Sequence, residues 1–117
     1  TGFKKLTIIP NMMSFNAFAG CQKLENVTIQ SGNTTISESI FNSCNALNRV
    51  YIPSTVKKIE DSAFYVWEES EDPIAPLTVY YGGSEAQWKS LLQKTADGND
   101  RLKNATVRYG QSPDDMK

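Results

Sequence analysis

The chain has 117 residues, one domain of ordinary size, and its 12 Lys and Arg against 13 Asp and Glu leave a net charge of -1. A chain so near neutrality has no electrostatic footprint for nucleic acid or an anionic membrane surface. It has no histidine, which removes the commonest general base, the usual zinc ligand and the usual pH switch; 39% hydrophobic residues suffice for a core but not for a membrane protein.

The first residue is Thr, and Thr1-Gly2-Phe3 runs directly into a patterned segment, so further repeats are expected upstream. There is no apolar run of about 18 residues and no charged stretch followed by an apolar one, so neither a spanning helix nor a signal peptide is read here. One pattern then recurs: a large apolar residue with apolar residues three and five positions later. Phe3-Lys-Lys-Leu6-Thr-Ile8 begins it, Leu24-Glu-Asn-Val27-Thr-Ile29 repeats it, and Leu47-Asn-Arg-Val50-Tyr-Ile52 is the third copy. Ile74-Ala-Pro-Leu77-Thr-Val79 and a weaker Leu102-Lys-Asn-Ala105-Thr-Val107 follow, so repeats start near 3, 24, 47, 74 and 102. The first two spacings, 21 and 23 residues, fall in the range of leucine-rich repeats.

The second half of each unit repeats as well: Ala17-Phe18-Ala-Gly-Cys21, Ile40-Phe41-Asn-Ser-Cys44 and Ala63-Phe64. Residues of one parity in a strand point to one face, so the apolar pair of each unit faces a core and the residues between them face outward. One such unit cannot bury its apolar face alone; stacked units can. Pro10 and Pro53 end their strands because proline cannot donate to a ladder, and the turns at Asn33 and Asn45 suit left-handed backbone or local side-chain bonding. Strands are predicted over roughly Leu6-Ile9, Val27-Gln30, Val50-Ile52, Leu77-Tyr81 and Thr106-Tyr109. Gly82-Gly83 gives room to leave the fourth strand, Ser84 is an N-cap, and Ala86 to Gln93 is a helix with Trp88, Leu91 and Leu92 on one face. That helix is the candidate segment for covering an open end of the core, with the closing segment at about 80-110. Residues 1-110 then form one domain, and the polar, Pro-containing 111-117 reads as a frayed tail or linker.

Leu-x-x-Val-x-Ile-Pro, Val-x-x-Ile, Ala-Phe and Gly-Cys-x-x-Leu together resemble the BspA-type leucine-rich repeat of bacterial surface and secreted proteins. Ile52-Pro-Ser-Thr-Val-Lys-Lys-Ile59-Glu-Asp-Ser-Ala-Phe64 lies close to its pattern; unit two departs from it at Gln30 and Ile40. Val79-Tyr-Tyr-Gly-Gly-Ser-Glu-Ala-Gln-Trp88 and Asn104-Ala-Thr-Val107-Arg-Tyr109 resemble the segment that closes such arrays. The resemblance implies an α/β repeat fold, a leucine-rich-repeat solenoid with short stacked parallel strands, irregular or short helical returns and a C-terminal cap helix. It further implies an extracellular or cell-surface location, a protein partner such as a host surface or matrix protein, and no catalytic residues or cofactor.

Candidate chemistry is sparse. Cys21 and Cys44 hold equivalent places in consecutive units and read as a buried thiol ladder or a disulfide between adjacent coils; without a His to activate them, catalysis is the weakest reading. The acidic run Glu68-Glu69-Ser-Glu71-Asp72, beside Trp67 and Pro73, reads as a solvated loop or a recognition insertion; its spacing matches no calcium loop. The outward strand positions are Lys5, Thr7, Ile9, Asn26, Thr28, Gln30, Arg49, Tyr51, Thr78, Tyr80, Thr106 and Arg108, with Thr expected as a stripe broken at Tyr51. Such residues suit any exposed strand. They also make a binding surface centred on Tyr51 and Tyr80 with Arg49 as charged contact, Thr78 beside them and Trp67 nearby. The expected function is protein recognition or adhesion through a concave strand face. Closing a longer array, or stacking carbohydrate on Tyr51, Tyr80 and Trp67, are the alternatives; enzyme chemistry has no motif to support it.

Overall fold

The computed structural model describes residues 4–10, 14–66 and 73–116. Trp67, the acidic run through Asp72 and Phe3 lie outside them. Strands β1 (Lys5–Ile8), β2 (Asn26–Ile29), β4 (Arg49–Ile52), β6 (Thr78–Tyr81) and β7 (Thr106–Arg108) form one parallel sheet in the order β1-β2-β4-β6-β7. Two short strands on the return side, β3 (Thr35–Ile36) and β5 (Lys58–Ile59), pair in parallel. Parallel neighbours cannot be joined by a tight hairpin, so every connection must travel round and return. Stacked coils of this kind are a solenoid, as the repeat pattern predicts.

Register follows the apolar pattern. Leu6, Val27, Val50, Val79 and Val107 stand in one row, each paired with the next. Ile8 pairs with Ile29, and Ile52 with Tyr81. These residues face the core with Leu24, Leu47, Ile36 and Ile59. Complete burial of one such side chain contributes about 1.5–3 kcal/mol, so the sheet is held mainly by its inner face.

Two units are out of the expected register. Val79 rather than Leu77 pairs with Val50, while Val107 pairs with Val79 as the pattern predicts, so both units stand off the first three by a single slip between β4 and β6. The shift is two residues, which preserves the face of every side chain but moves its row. Lys5, Asn26, Arg49, Thr78 and Thr106 therefore form one outward row, and Thr7, Thr28, Tyr51, Tyr80 and Arg108 the next. The expected Thr stripe splits between two rows.

The return side carries a ladder of its own. Asn16, Phe18 and Gly20 donate backbone N–H to the carbonyls of Glu38, Ile40 and Asn42; Ser39, Phe41 and Ser43 donate to Asp61, Ala63 and Tyr65. The left-handed backbone this needs falls at Asn16, Ser39, Ser43 and Ser62, with φ between 55° and 61°. It does not fall at Asn33 or Asn45. The buried Asn33 instead donates its side-chain amide to Ile8 O and Gln30 O, the local side-chain bonding that suits such a turn equally well. Phe18, Phe41 and Phe64 stack in line inside the ladder, with ring centroids 6.3 and 5.4 Å apart.

Helix α1 (Glu85–Gln93) begins at the expected cap: Gln87 N–H donates to Ser84 Oγ while Ser84 N–H donates to Gln87 Oε1. Trp88 and Leu91 are buried, and Trp88 lies 5.0 Å from the Tyr81 ring. A second helix, α2 (Asp100–Lys103), leads into β7. Gly82 and Gly98 are required by space: a Cβ would lie 2.6 Å from Tyr51 Oη at Gly82 and would collide with Ser62 Oγ at Gly98.

The frayed tail expected from residue 111 is folded as far as Met116. Gly110, at φ 64°, turns the chain; Gly110 N–H donates to Gly83 O and Gln111 N–H to Tyr81 O, both at 2.9 Å. Pro113–Met116 is then one 3-10 turn laid on the outward side of β4 and β6. The physical reason is Met116, an apolar side chain in an otherwise polar stretch, which finds apolar surface between two tyrosines.

Candidate functional site

Four of the five residues singled out by sequence are brought together. Arg49 and Tyr51 lie on β4; Thr78 and Tyr80 lie opposite them on β6, as direct register partners Arg49–Thr78 and Tyr51–Tyr80. Trp67, the fifth, lies outside the described residues. Parallel pairing in register sets the two phenol rings side by side on the outward face, because strand neighbours of the same parity share a face.

These tyrosines are not the exposed anchors the sequence suggests. Tyr51, Tyr80 and Met116 are each 6% exposed and form an apolar cluster separate from the main core. Arg49, itself exposed, donates from Nη1 to the backbone carbonyl of Met116 at 2.8 Å. Arg108, on β7, lies over the Tyr80 ring, its guanidinium carbon 5.3 Å from the centroid. Burial pushes the Tyr51 hydroxyl pKa up, and the nearby Asp115 carboxylate adds to it by opposing a phenolate.

The covering turn is stabilised internally. Ser112 N–H donates to Asp115 Oδ2 at 2.7 Å, Ser112 Oγ donates to the same oxygen at 3.3 Å, and Asp115 N–H returns to Ser112 O at 3.0 Å. Ser-x-x-Asp followed by an apolar residue is a capping signature, so residues 112–116 carried a readable signal that their overall polarity hid. The rest of the face is small and polar: Lys5 and Thr7 are exposed and Asn26 and Thr28 half-buried. Among the described residues, one end of the face is thus covered and the other open.

Two other features were not read from sequence. Arg101, half-buried, donates from Nη1 to Cys44 O and from Nη2 to Leu47 O and Ala75 O, tying together the segments that enter β4 and β6. Asn45 and Asn48 line an open depression beside Pro73, Ile74 and Ala75, with side-chain oxygens that are buried and unpartnered. Cys21 and Cys44 are free and buried; Cys44 Sγ donates to Phe18 O at 3.1 Å, and burial pushes its pKa up to about 11. A thiol held so firmly in its neutral form is a packing residue. Among the described residues there is no cluster of three metal-ligating side chains and no helix long and apolar enough to cross a membrane.

No curated protein and no solved structure matches the chain. The model of the BspA type leucine-rich repeat region matches residues 3–96, in six copies. Repeats of this family are interaction or structural modules, generally without catalysis and typical of bacterial surface and secreted proteins. With that match over most of its length and a five-stranded parallel ladder in repeat register, the chain belongs to the BspA-type leucine-rich repeat family.

Proposed function

We propose that the chain is a non-catalytic, extracytoplasmic recognition module that engages a protein partner through the outward face of its five-stranded sheet. The observation that carries this reading is the pair of in-register outward rows with two adjacent tyrosines and two arginines at one end, Arg49 and Arg108. Tyr and Arg are the residue types in which interface energy concentrates, and a rigid sheet holds them without ordering cost at the moment of contact. That end already accommodates an apolar side chain and a carbonyl oxygen, those of Met116.

The test is capture of surface-exposed and matrix proteins by the 117-residue chain beside two folded variants. Thr28→Arg crowds the outward face, and Lys89→Glu alters an exposed position on α1. A partner lost in Thr28→Arg and retained in Lys89→Glu supports the sheet face. A partner retained in both moves the site elsewhere.

A second reading is structural: residues from Ser84 to Tyr109 close the array. Its support is that Ala96, Asp97 and Asn99 meet the last return coil with bonds of the kind the coils make with each other. Absence of any partner for this chain favours that reading. Carbohydrate stacking is less well supported, because Tyr51 and Tyr80 keep only 6% of their surface exposed.

A further inference from the structure

The tail that covers Tyr51 and Tyr80 is built as a ligand rather than as part of the core. Its buried side chain, Met116, joins only the two tyrosines in a cluster that the main core does not share. Its turn is closed by its own Ser112–Asp115 bonds. Its attachment to the face includes the Met116 side chain and the Met116 carbonyl, the latter taken by Arg49 at 2.8 Å. Gly110 at φ 64° is the pivot on which it folds back. The charges fit: Asp114 and Asp115 are carried onto a face that holds Arg49 and Arg108, and Asp115 comes close enough to Tyr51 to act on its hydroxyl.

We infer that the Arg49–Tyr51–Tyr80 end of the sheet face is a peptide-binding site occupied in cis by residues 112–116. Its partner in trans is a segment of the same chemistry: a short acidic turn presenting one unbranched apolar side chain, with a backbone carbonyl for Arg49. This rests on the reading of the sheet face as the binding face. The tail is then a built-in competitor. A short tether gives a tail an effective concentration of about millimolar, so a partner must exceed that or bind more tightly than the tail does. Simple structural packing of Met116 makes the opposite prediction, that nothing of this chemistry competes.

The experiment is a titration of a labelled peptide with the sequence of residues 111–117 into the full chain and into Met116→Asp, read by fluorescence anisotropy. Met116→Asp should bind the peptide at least about tenfold more tightly than the wild type, because its own tail no longer competes. Adding Arg49→Gln to Met116→Asp should remove most of that gain. Equal binding by wild type and Met116→Asp overturns the inference, as does no binding by a folded Met116→Asp up to about 2 mM peptide. Should Met116→Asp unfold, Met116→Ser takes its place under the same criteria. A wild-type dimer that Met116→Asp fails to form places the tail on a second copy and overturns the cis arrangement. A protein partner captured equally by wild type and Met116→Asp keeps the recognition reading and overturns this one. Peptide binding by Met116→Asp without any captured protein keeps this site and removes the broader reading.

Discussion

Phe64 N–H donates to the side-chain oxygen of Asn99 at 3.1 Å, in the place where Phe18 and Phe41 donate to backbone carbonyls of the following coil. A side chain thus continues a ladder that elsewhere runs through backbone. Asn99 is fully buried, and its amide nitrogen donates to Glu60 O at 3.0 Å and Ala96 O at 2.9 Å. Ser62 N–H finds Asp97 O beside it, at 2.9 Å. A buried N–H left without an acceptor costs about 1–3 kcal/mol, so the segment stacked on the last phenylalanine coil has to supply acceptors as well as apolar cover.

Asn99→Ala removes that acceptor and two donors at once. It should destabilise the chain by about 3 kcal/mol in urea denaturation, with Phe64 N–H the principal orphan. Asn99→Asp keeps the acceptor but sets a carboxylate against two carbonyl oxygens, and should be at least as damaging at neutral pH. A loss below about 0.5 kcal/mol for Asn99→Ala would mean that water replaces the side chain there.

The phenylalanine stack gives a second test. Phe41 is fully buried between Phe18 and Phe64, so Phe41→Ala should cost about 3–5 kcal/mol. Phe15 belongs to the same coil as Phe18 but is 65% exposed, and Phe15→Ala should stay within about 0.5 kcal/mol of the wild type. Thermal melts of the two variants side by side check this. A similar loss for both would mean that Phe15 is covered in solution.

The sheet was legible because its signal is periodic. Leu6, Val27 and Val50 sit at constant offset from the residues that start their units, and parity alone assigns faces. The register of β6 on β4 was not, because Leu77 and Val79 are both apolar; β7 then follows β6 as its pattern predicts. A two-residue slip keeps parity, and only pairing geometry decides it. Helix α1 announced itself through Ser84 and the spacing of Trp88 and Leu91, whereas α2 has only four residues and one buried side chain, Leu102, too few for a period. The candidate face was half legible. Tyr51 and Tyr80 were read as one surface, but the repeat offsets set Thr78 opposite Tyr51, and only the two-residue shift makes Tyr80 its direct partner; their cover comes from Met116, far along the chain, and no local pattern links the three. Asn99 and Arg101 were invisible for the same reason: their partners are backbone groups of other coils.

Arg101 carries the next prediction. It gathers Cys44 O, Leu47 O and Ala75 O, and among the described residues no carboxylate pairs with it. Burial lowers its pKa, with the partial charges of the three carbonyls taking the place of a counterion. Arg101→Ala leaves three carbonyls short of a donor and should cost about 3 kcal/mol. Arg101→Lys keeps the charge but not the planar fork and should recover only part of that. Urea midpoints at constant slope measure both; equal stability of the Lys variant and wild type would show that charge alone suffices.

Cys44 makes stability depend on alkaline pH. Its folded-state pKa, raised to about 11 by burial, exceeds the ordinary thiol value of 9.0 expected once the chain unfolds. Between those values the unfolded chain releases a proton that the folded chain keeps. The contribution is therefore complete below about pH 9 and is lost as pH rises through about 11, by roughly 2 kcal/mol. Tyr51 and Tyr81, also raised by burial, add loss of the same sign at higher pH. Urea denaturation at about pH 8, 9, 10 and 11 on wild type and Cys44→Ala isolates the thiol, since all other titrations are common to both. The wild-type decline should be the steeper by up to one proton per molecule, and a thiol reagent at about pH 8 should modify Cys44 only as fast as the chain opens. Parallel curves, or rapid modification of the native chain, would show that the thiol is solvated and that Cys44 packs less tightly against Phe18 than its 3.1 Å hydrogen bond indicates.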